Sequence, residues 1–304
     1  MPFFWQRPRP MHLGRFPMEK IKRVSETTTK ITDNVPRMPK RAHFFQRARF
    51  GDLGPKPQQE VRRFATKYPL SMSMGKVTQT QATVHDGDVA PEKAPLPEDL
   101  HEIAEHIKAT CYFLDADLVG ICEMPDYAWY SHDIDGNPIT AKHKYAIVLL
   151  IDQGFETMEA SSGDDWISGS QSFRAYLKGS TIACTVASYI RELGYEARAH
   201  TNADSEVLHN PLTMLAGLGE LSRIGEVVLN PFLGPRFKTA VITTNLPMAV
   251  DQPIDFGLQD ICGKCRKCAR ECPAGALSFG DKVMFNCYEM WKPDVEACTR
   301  YRVT

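Results

Sequence analysis

Residues 143–152 read HKYAIVLLID, and the unbroken apolar run Tyr145–Ile151 at their centre is the pattern of a strand covered on both faces, central in a sheet. The run is also the longest of its kind in the chain, and it falls far short of the ~20 residues that cross a bilayer. On its N-terminal side EDLHEIAEHIKATCYFL, from Glu98, reads as an amphipathic helix, and ADLVGIC follows as a short strand. On its C-terminal side FRAYLKGSTIACTVASYIRELGYEA sets Tyr176, Gly179, Ala183, Val186, Ile190 and Leu193 at steps of three and four, one inward helical face stopped by Gly194. Small residues at 179, 180, 183 and 187 let something pack close to that helix, either another backbone or a flat cofactor. A strand near Tyr195–Thr201 comes next, then a short helix with Asn210 as N-cap and Pro211 as first residue, ended by Gly217 and Gly219. GEVVLN and FKTAVITTNLP complete the pattern as two strands, so the alternation predicts an α/β or α+β fold.

The chain has 304 residues, 43% of them apolar and 24% charged, which excludes wholesale disorder, a collagen-like repeat and a coiled-coil rod. With 36 basic and 37 acidic groups, no overall field favours nucleic acid. The balance hides an asymmetry: residues 1–50 carry twelve Lys/Arg against three Asp/Glu. Prolines recur through residues 1–95, from Pro2 and Pro8 to Pro69, without sustained helical or alternating periodicity, and this predicts a basic, proline-rich wrapping arm packed over a neighbouring surface. The first residues, MPFFWQRPRP, have neither the order of a secretory signal nor a twin-arginine start, which points to the cytoplasm.

Nine cysteines divide sharply. Cys111, Cys122 and Cys184 sit in apolar or small-residue surroundings and read as inert core thiols. The other six lie in the final 43 residues. In CGKCRKCARECPAG, Cys262, Cys265, Cys268 and Cys272 follow the spacing Cys-x-x-Cys-x-x-Cys-x-x-x-Cys-Pro, which brings three thiolates to the corners of one iron-sulfur cubane and sends the fourth to another. Structural zinc sites instead use pairs of Cys-x-x-Cys divided by a spacer. Two such clusters need eight thiolates, and Cys287 and Cys298 bring the count here only to six. The expectation is a chain truncated within its electron-transfer domain; the other reading is a single cluster onto which Cys287 folds back.

The succession IRELGYEA, PLTMLAGLGELSRIGEVVLNPFLGPRFK, TNLP, CGKCRKCARECPAGAL and YEMWKPDVEACTRYRVT resembles the catalytic core of cobalamin-dependent reductive dehalogenases of the soluble, catabolic type, over roughly residues 97–304. Epoxyqueuosine reductases share the AGLG element and the cysteine motif, but follow AGLG with Trp and then Gly-Lys, where this chain has Glu220, Leu221, Ser222 and Arg223. The resemblance implies a nitroreductase-like domain over residues 96–252 that holds a base-off corrinoid, and a ferredoxin-type domain over residues 253–304 with 4Fe-4S clusters on Cys262, Cys265, Cys268, Cys272 and Cys298. It implies reductive dehalogenation of an organohalide, with electrons from a donor protein or reductase domain. Tyr176 matches the family's proton donor, and Lys238 its cationic partner, since a cation within ~4–6 Å favours phenolate. Arg302 matches a residue that supports the tyrosine or holds an anionic substrate, with Arg236 beside it. Asn202 matches a polar position of the pocket, and Gly217 and Gly219 would allow close approach of a corrinoid tail or simply of backbone. His200 and His209 are expected as polar neighbours of the cofactor or as satisfied surface groups. The rival readings are an epoxyqueuosine-reductase-like tRNA modifier and a non-catalytic electron-transfer fragment.

Overall fold

A computed structural model describes residues 9–32, 34–66, 68–163 and 165–303. Pro2 and Pro8 lie outside the described residues. In chain order the described elements begin with helices α1 (Phe44–Arg49), α2 (Pro55–Thr66), α3 (Pro69–Thr80) and α4 (Leu100–Phe113). Strands β1 (Leu118–Glu123) and β2 (Tyr145–Asp152), helices α5 (Phe155–Glu159) and α6 (Trp166–Glu192), and strand β3 (Ala197–His200) follow. Next come α7 (His209–Leu215), β4 (Glu220–Leu221), β5 (Val228–Leu229) and β6 (Phe237–Thr244). The C-terminal part contains α8 (Leu258–Cys265), α9 (Lys267–Arg270), β7 (Val283–Phe285), β8 (Tyr288–Met290) and α10 (Val295–Val303).

The main sheet has the order β1-β2-β6-β3, every pairing antiparallel, which puts the fold on the α+β side of the expected alternatives. Its centre explains the apolar run. Ile147, Leu149 and Ile151 enter one core with Ile107 of α4 and Ile182, Val186 and Ile190 of α6. Ala146, Val148 and Leu150 enter a second core on the opposite face with Leu212, Leu218 and the arm's Met18. A strand alternates its side chains, so burial on both faces demands an apolar residue at every position. The small residues of α6 serve this packing: a Cβ on Gly179 would stand 3.2 Å from Ile151 Cγ1 and 3.4 Å from Ala240 Cβ. Of the two uses open to that stripe, the sheet takes this one.

Residues 9–95 carry three α-helices, where the sequence periodicity promised none. These helices are short and bury little of their own, so packing rather than an amphipathic stripe decides them. α3 lies along α6, while α1 and α2 meet α10. The arm's positive charge is spent on the acidic body: Lys22 reaches Asp255, Lys40 reaches Asp204, Arg47 reaches Glu296 and Arg15 reaches Asp117, at 2.8, 2.7, 2.5 and 2.6 Å. The short helix after β3 starts at His209, two residues ahead of the expected Pro211, with Leu208 as its N-cap.

A tight point inside the sheet is Gly120 in β1, where a Cβ would lie 2.3 Å from the Ala216 carbonyl oxygen just after α7. Gly120→Ala is therefore expected to lower stability by about 1–3 kcal/mol through overpacking. An unchanged urea midpoint would contradict it.

Candidate functional site

The cysteine unit is shaped by one left-handed residue. α8 carries Cys262 and Cys265 a helical turn apart; Arg266, at φ 52°, breaks the helix, and α9 restarts with Cys268 turned back toward the first two. Burial pushes the Cys262 thiol up, an effect opposed by the Arg223 amide and increased by the nearby Cys268 and Cys265. The backbone N–H of Arg223 donates to Cys262 Sγ at 3.5 Å, and that of Ala276 donates to Cys272 Sγ at 3.4 Å. Amides aimed at sulfur are the outer contacts that an iron-bound thiolate takes. Burial also raises the Cys298 thiol, with Cys272 among the groups that add to the rise. Of the five expected ligands, Cys262, Cys265 and Cys268 thus lie on α8–α9, Cys272 follows α9, and Cys298 lies on α10. No three His, Cys, Asp or Glu side chains among the described residues close to the spacing of a single-ion site.

Cys287 does not fold back onto the trio. With Asn286 it forms the two-residue turn of the β7–β8 hairpin, both at positive φ (46° and 67°), and its Sγ faces the Asn34 carbonyl oxygen at 3.9 Å. The arm holds it there, because the Thr32 N–H donates to the Cys287 carbonyl at 2.9 Å. The reading in which Cys287 completes a single cluster is corrected on that ground.

What sequence reasoning missed is the element that docks this unit. Glu220, buried at 1% exposure, accepts the Phe256 N–H at 2.8 Å, the Leu258 N–H at 3.4 Å and the Thr28 hydroxyl at 2.7 Å. A carboxylate there satisfies free amides at the start of α8. The Leu221 carbonyl accepts from Gln259 at 2.8 Å, and Arg223 reaches the cysteine loop itself. The Glu-Leu-Ser-Arg run carries opposite charges three residues apart, and that is the signal the sequence offers.

Tyr176 of α6 is half-buried, edge-on to Phe173 at 6.0 Å, and Lys238 of β6 stands over its ring with Nζ 5.2 Å from the centroid. Arg236 is paired with Asp152 at 2.8 Å. Burial would raise that carboxyl, but the Arg236 guanidinium, the Gly154 amide and Arg15 together hold Asp152 below the ordinary carboxylate range. Arg302 lies on α10 over Phe45 and Phe64, 5.5 and 5.2 Å from their centroids, so the arm helices are its neighbours. Asn202 is exposed on the turn after β3. At Gly217 a Cβ would lie 2.2 Å from the Gln252 carbonyl oxygen and 2.1 Å from Arg23 Nη1, and at Gly219 it would lie 2.4 Å from the Leu229 carbonyl oxygen. Both glycines are required by this chain's own packing; Gly217 has positive φ (65°) and Gly219 does not.

The histidines correct another expectation. His200 is fully buried and so is no surface group. The Glu206 N–H donates to its Nδ1 at 3.1 Å, so its Nε2 carries the proton toward Thr243 Oγ1 at 2.8 Å; the Thr243 hydroxyl is left to donate to His143 Nδ1 at 2.7 Å. His209 lies between Ser205 and Thr239. Burial lowers His85, His143 and His209 to about 4, and His200 well below 6.5. Burial likewise raises the Cys111 thiol to about 12 and lifts Cys122 and Cys184, as inert core thiols require.

An antiparallel sheet, a long helix presenting a tyrosine beneath a lysine, and a docked C-terminal unit of iron-sulfur spacing make up the candidate site. No family model matches the chain. Its similarity to solved reductive dehalogenases nonetheless runs along almost its whole length. The solved catabolic reductive dehalogenase NpRdhA is 55% identical, with a TM-score of 0.93 over 97% of this chain and 44% of that one. A second structure of that enzyme, at 55% identity and TM-score 0.94 over 97% and 43%, is in complex with 3-bromo-4-hydroxybenzoic acid. The tetrachloroethene reductive dehalogenase of Dehalobacter restrictus is 35% identical over 137 residues, 45% of this chain and 24% of the relative. The epoxyqueuosine reductase of Francisella cf. novicida is 35% identical over 97 residues, 31% of this chain and 26% of the relative. The chain therefore spans less than half the length of the solved dehalogenase and about a quarter of the curated one.

The buried histidines fix the sign of a pH dependence. They are neutral in the fold and titrate near their ordinary value of ~6.5 when unfolded, so the unfolded chain takes up more protons between that value and about 4. Stability is expected to be highest above ~pH 6.5, to fall as pH drops from there, and to level off below the folded values of about 4. A melting temperature that stays flat from about pH 7 to pH 5 would contradict this.

Proposed function

We propose that this chain is the corrinoid- and cluster-bearing part of a reductive dehalogenase acting on a phenolic or carboxylated haloaromatic. The observation that carries the reading is the Lys238 ammonium 5.2 Å over the Tyr176 ring, in a chain 55% identical to a catabolic reductive dehalogenase. The matches to epoxyqueuosine reductases cover less of the chain, and Lys22, Lys40 and Arg47 of the arm are paired with the chain's own carboxylates.

A corrinoid and 4Fe-4S clusters, when bound, supply the low-potential electrons with which an organohalide and a proton become the dehalogenated product and halide. The thiolates of Cys262, Cys265 and Cys268 would hold one cluster, and Cys272 and Cys298 would contribute to another. Gln153, which follows β2 and whose Oε1 is buried with no hydrogen-bond partner among the described residues, would offer an acceptor toward a bound corrinoid. Tyr176 delivers the proton from its Oη, and the Lys238 ammonium stabilises the negative charge left on that oxygen. The exposed guanidinium of Arg302 takes the anionic group of the substrate, with Phe45 and Phe64 as its apolar floor. Cys265, exposed, is the side from which a donor protein would deliver electrons. A cytoplasmic location, where thiols stay reduced, suits a chain with nine free cysteines.

Anaerobic reconstitution with iron, sulfide and corrinoid should leave iron and near-stoichiometric cobalt on the chain after gel filtration; iron without cobalt would reduce the reading to electron transfer. In an active preparation Tyr176→Phe is expected to keep its corrinoid and lose most turnover, by ~10²–10⁴-fold for a lost general acid. Lys238→Met should follow it in direction, and unchanged halide release in both variants would remove the proton-donor assignment.

A further inference from the structure

Arg223 is 2% exposed and has no carboxylate partner among the described residues. Its Nε donates to the Cys262 carbonyl at 2.7 Å, and its Nη1 donates to the Ser278 and Gly280 carbonyls at 3.0 and 2.9 Å. The guanidinium carbon lies 4.5 Å from the centroid of buried Trp291, which shields it from water on that side. Its backbone N–H donates to Cys262 Sγ. A buried cation is costly unless an anion answers it, and carbonyl dipoles and an aromatic face answer it only in part. The anion available at this place is the thiolate group itself. An arginine does not give up its proton inside a protein, so this charge is permanent.

We propose that Arg223 is a positioning residue that sets the reduction potential of the cluster on Cys262, Cys265 and Cys268. Its fixed positive charge, held under Trp291 where solvent screens it little, favours the form of the cluster that has gained an electron. Its fork holds the Cys262 and Ser278–Gly280 segments on either side of that charge. In the step concerned, one electron from an added titanium(III) reductant enters the oxidised cluster, and titanium(III) becomes titanium(IV); no proton moves and Arg223 stays charged. Nearby Arg266, between Cys265 and Lys267, is exposed, so its charge is screened by water and counts for little. The inference rests on the iron-sulfur reading given above.

The test is EPR-monitored potentiometry of the full chain after anaerobic reconstitution with iron and sulfide, without corrinoid or substrate. Arg223→Met should make cluster reduction at least about tenfold less favourable, a drop of about 59 mV for a one-electron couple. Arg223→Lys, which keeps the charge, should remain with the parent, as should Arg266→Met. Arg223→Gln retains a donor toward the Cys262 carbonyl and supplies the neutral arm if the Met chain takes up no iron. An unchanged potential in the neutral variants with the cluster intact would overturn the proposal. So would an equal fall in the neutral and Lys variants, which would leave Arg223 a mechanical brace. A parent chain that takes up no iron would instead overturn the iron-sulfur reading from which the proposal starts.

Discussion

The cysteine unit stays on this protein because a full positive charge is buried beneath it. Arg223 spends its donors on three carbonyls of the cysteine loops and stacks on Trp291, while Glu220, three residues earlier, holds the first amides of α8. Neither group is stable there without the other segment in place, since each would then be a desolvated charge lacking its partners. Docking and the local conformation of the thiol-bearing loops are consequently one event. A separate ferredoxin-like piece tethered by a linker would need no such bracket.

The second constraint is the sheet. β2 and β6 are buried on both faces, so the layers above and below must both be supplied, and the chain supplies them from distant segments. α4 and α6 cover one side. The other is closed by α7 together with arm residues such as Met18 and Phe16. The arm's excess of positive charge and the body's excess of negative charge are two halves of this docking, which is why the net charge of −1 conceals so strong an asymmetry.

Much of this was legible in one dimension. The continuous run at 145–151, the helical stripe from Tyr176 to Leu193 and the Cys-x-x-Cys-x-x-Cys spacing each encode their structure within a few neighbouring residues, and each lies where its pattern indicated. Pairing of Lys238 with Tyr176 came from the family resemblance, as no periodicity links residues on two different elements. Arm helices α1 to α3 were invisible because their buried faces are defined by α6 and α10, far along the chain. Likewise Gly217 and Gly219 gave no sign that Gln252 and Leu229 were the atoms crowding them.

The sequence by itself determined the alternation of helix and strand, the strand buried on two faces, the inert core thiols and the sulfur chemistry of the C-terminal segment, because each is a matter of local spacing and side-chain type. Tertiary structure alone decided which thiols keep company. Cys298 is carried on α10, and Cys287 is carried off by a hairpin turn stitched to Thr32. It also decided that the Arg223 side chain is buried against the carbonyls of the cysteine loops and not left in solvent. Charges and thiols act through space, and the distances over which they act are set by the packed chain.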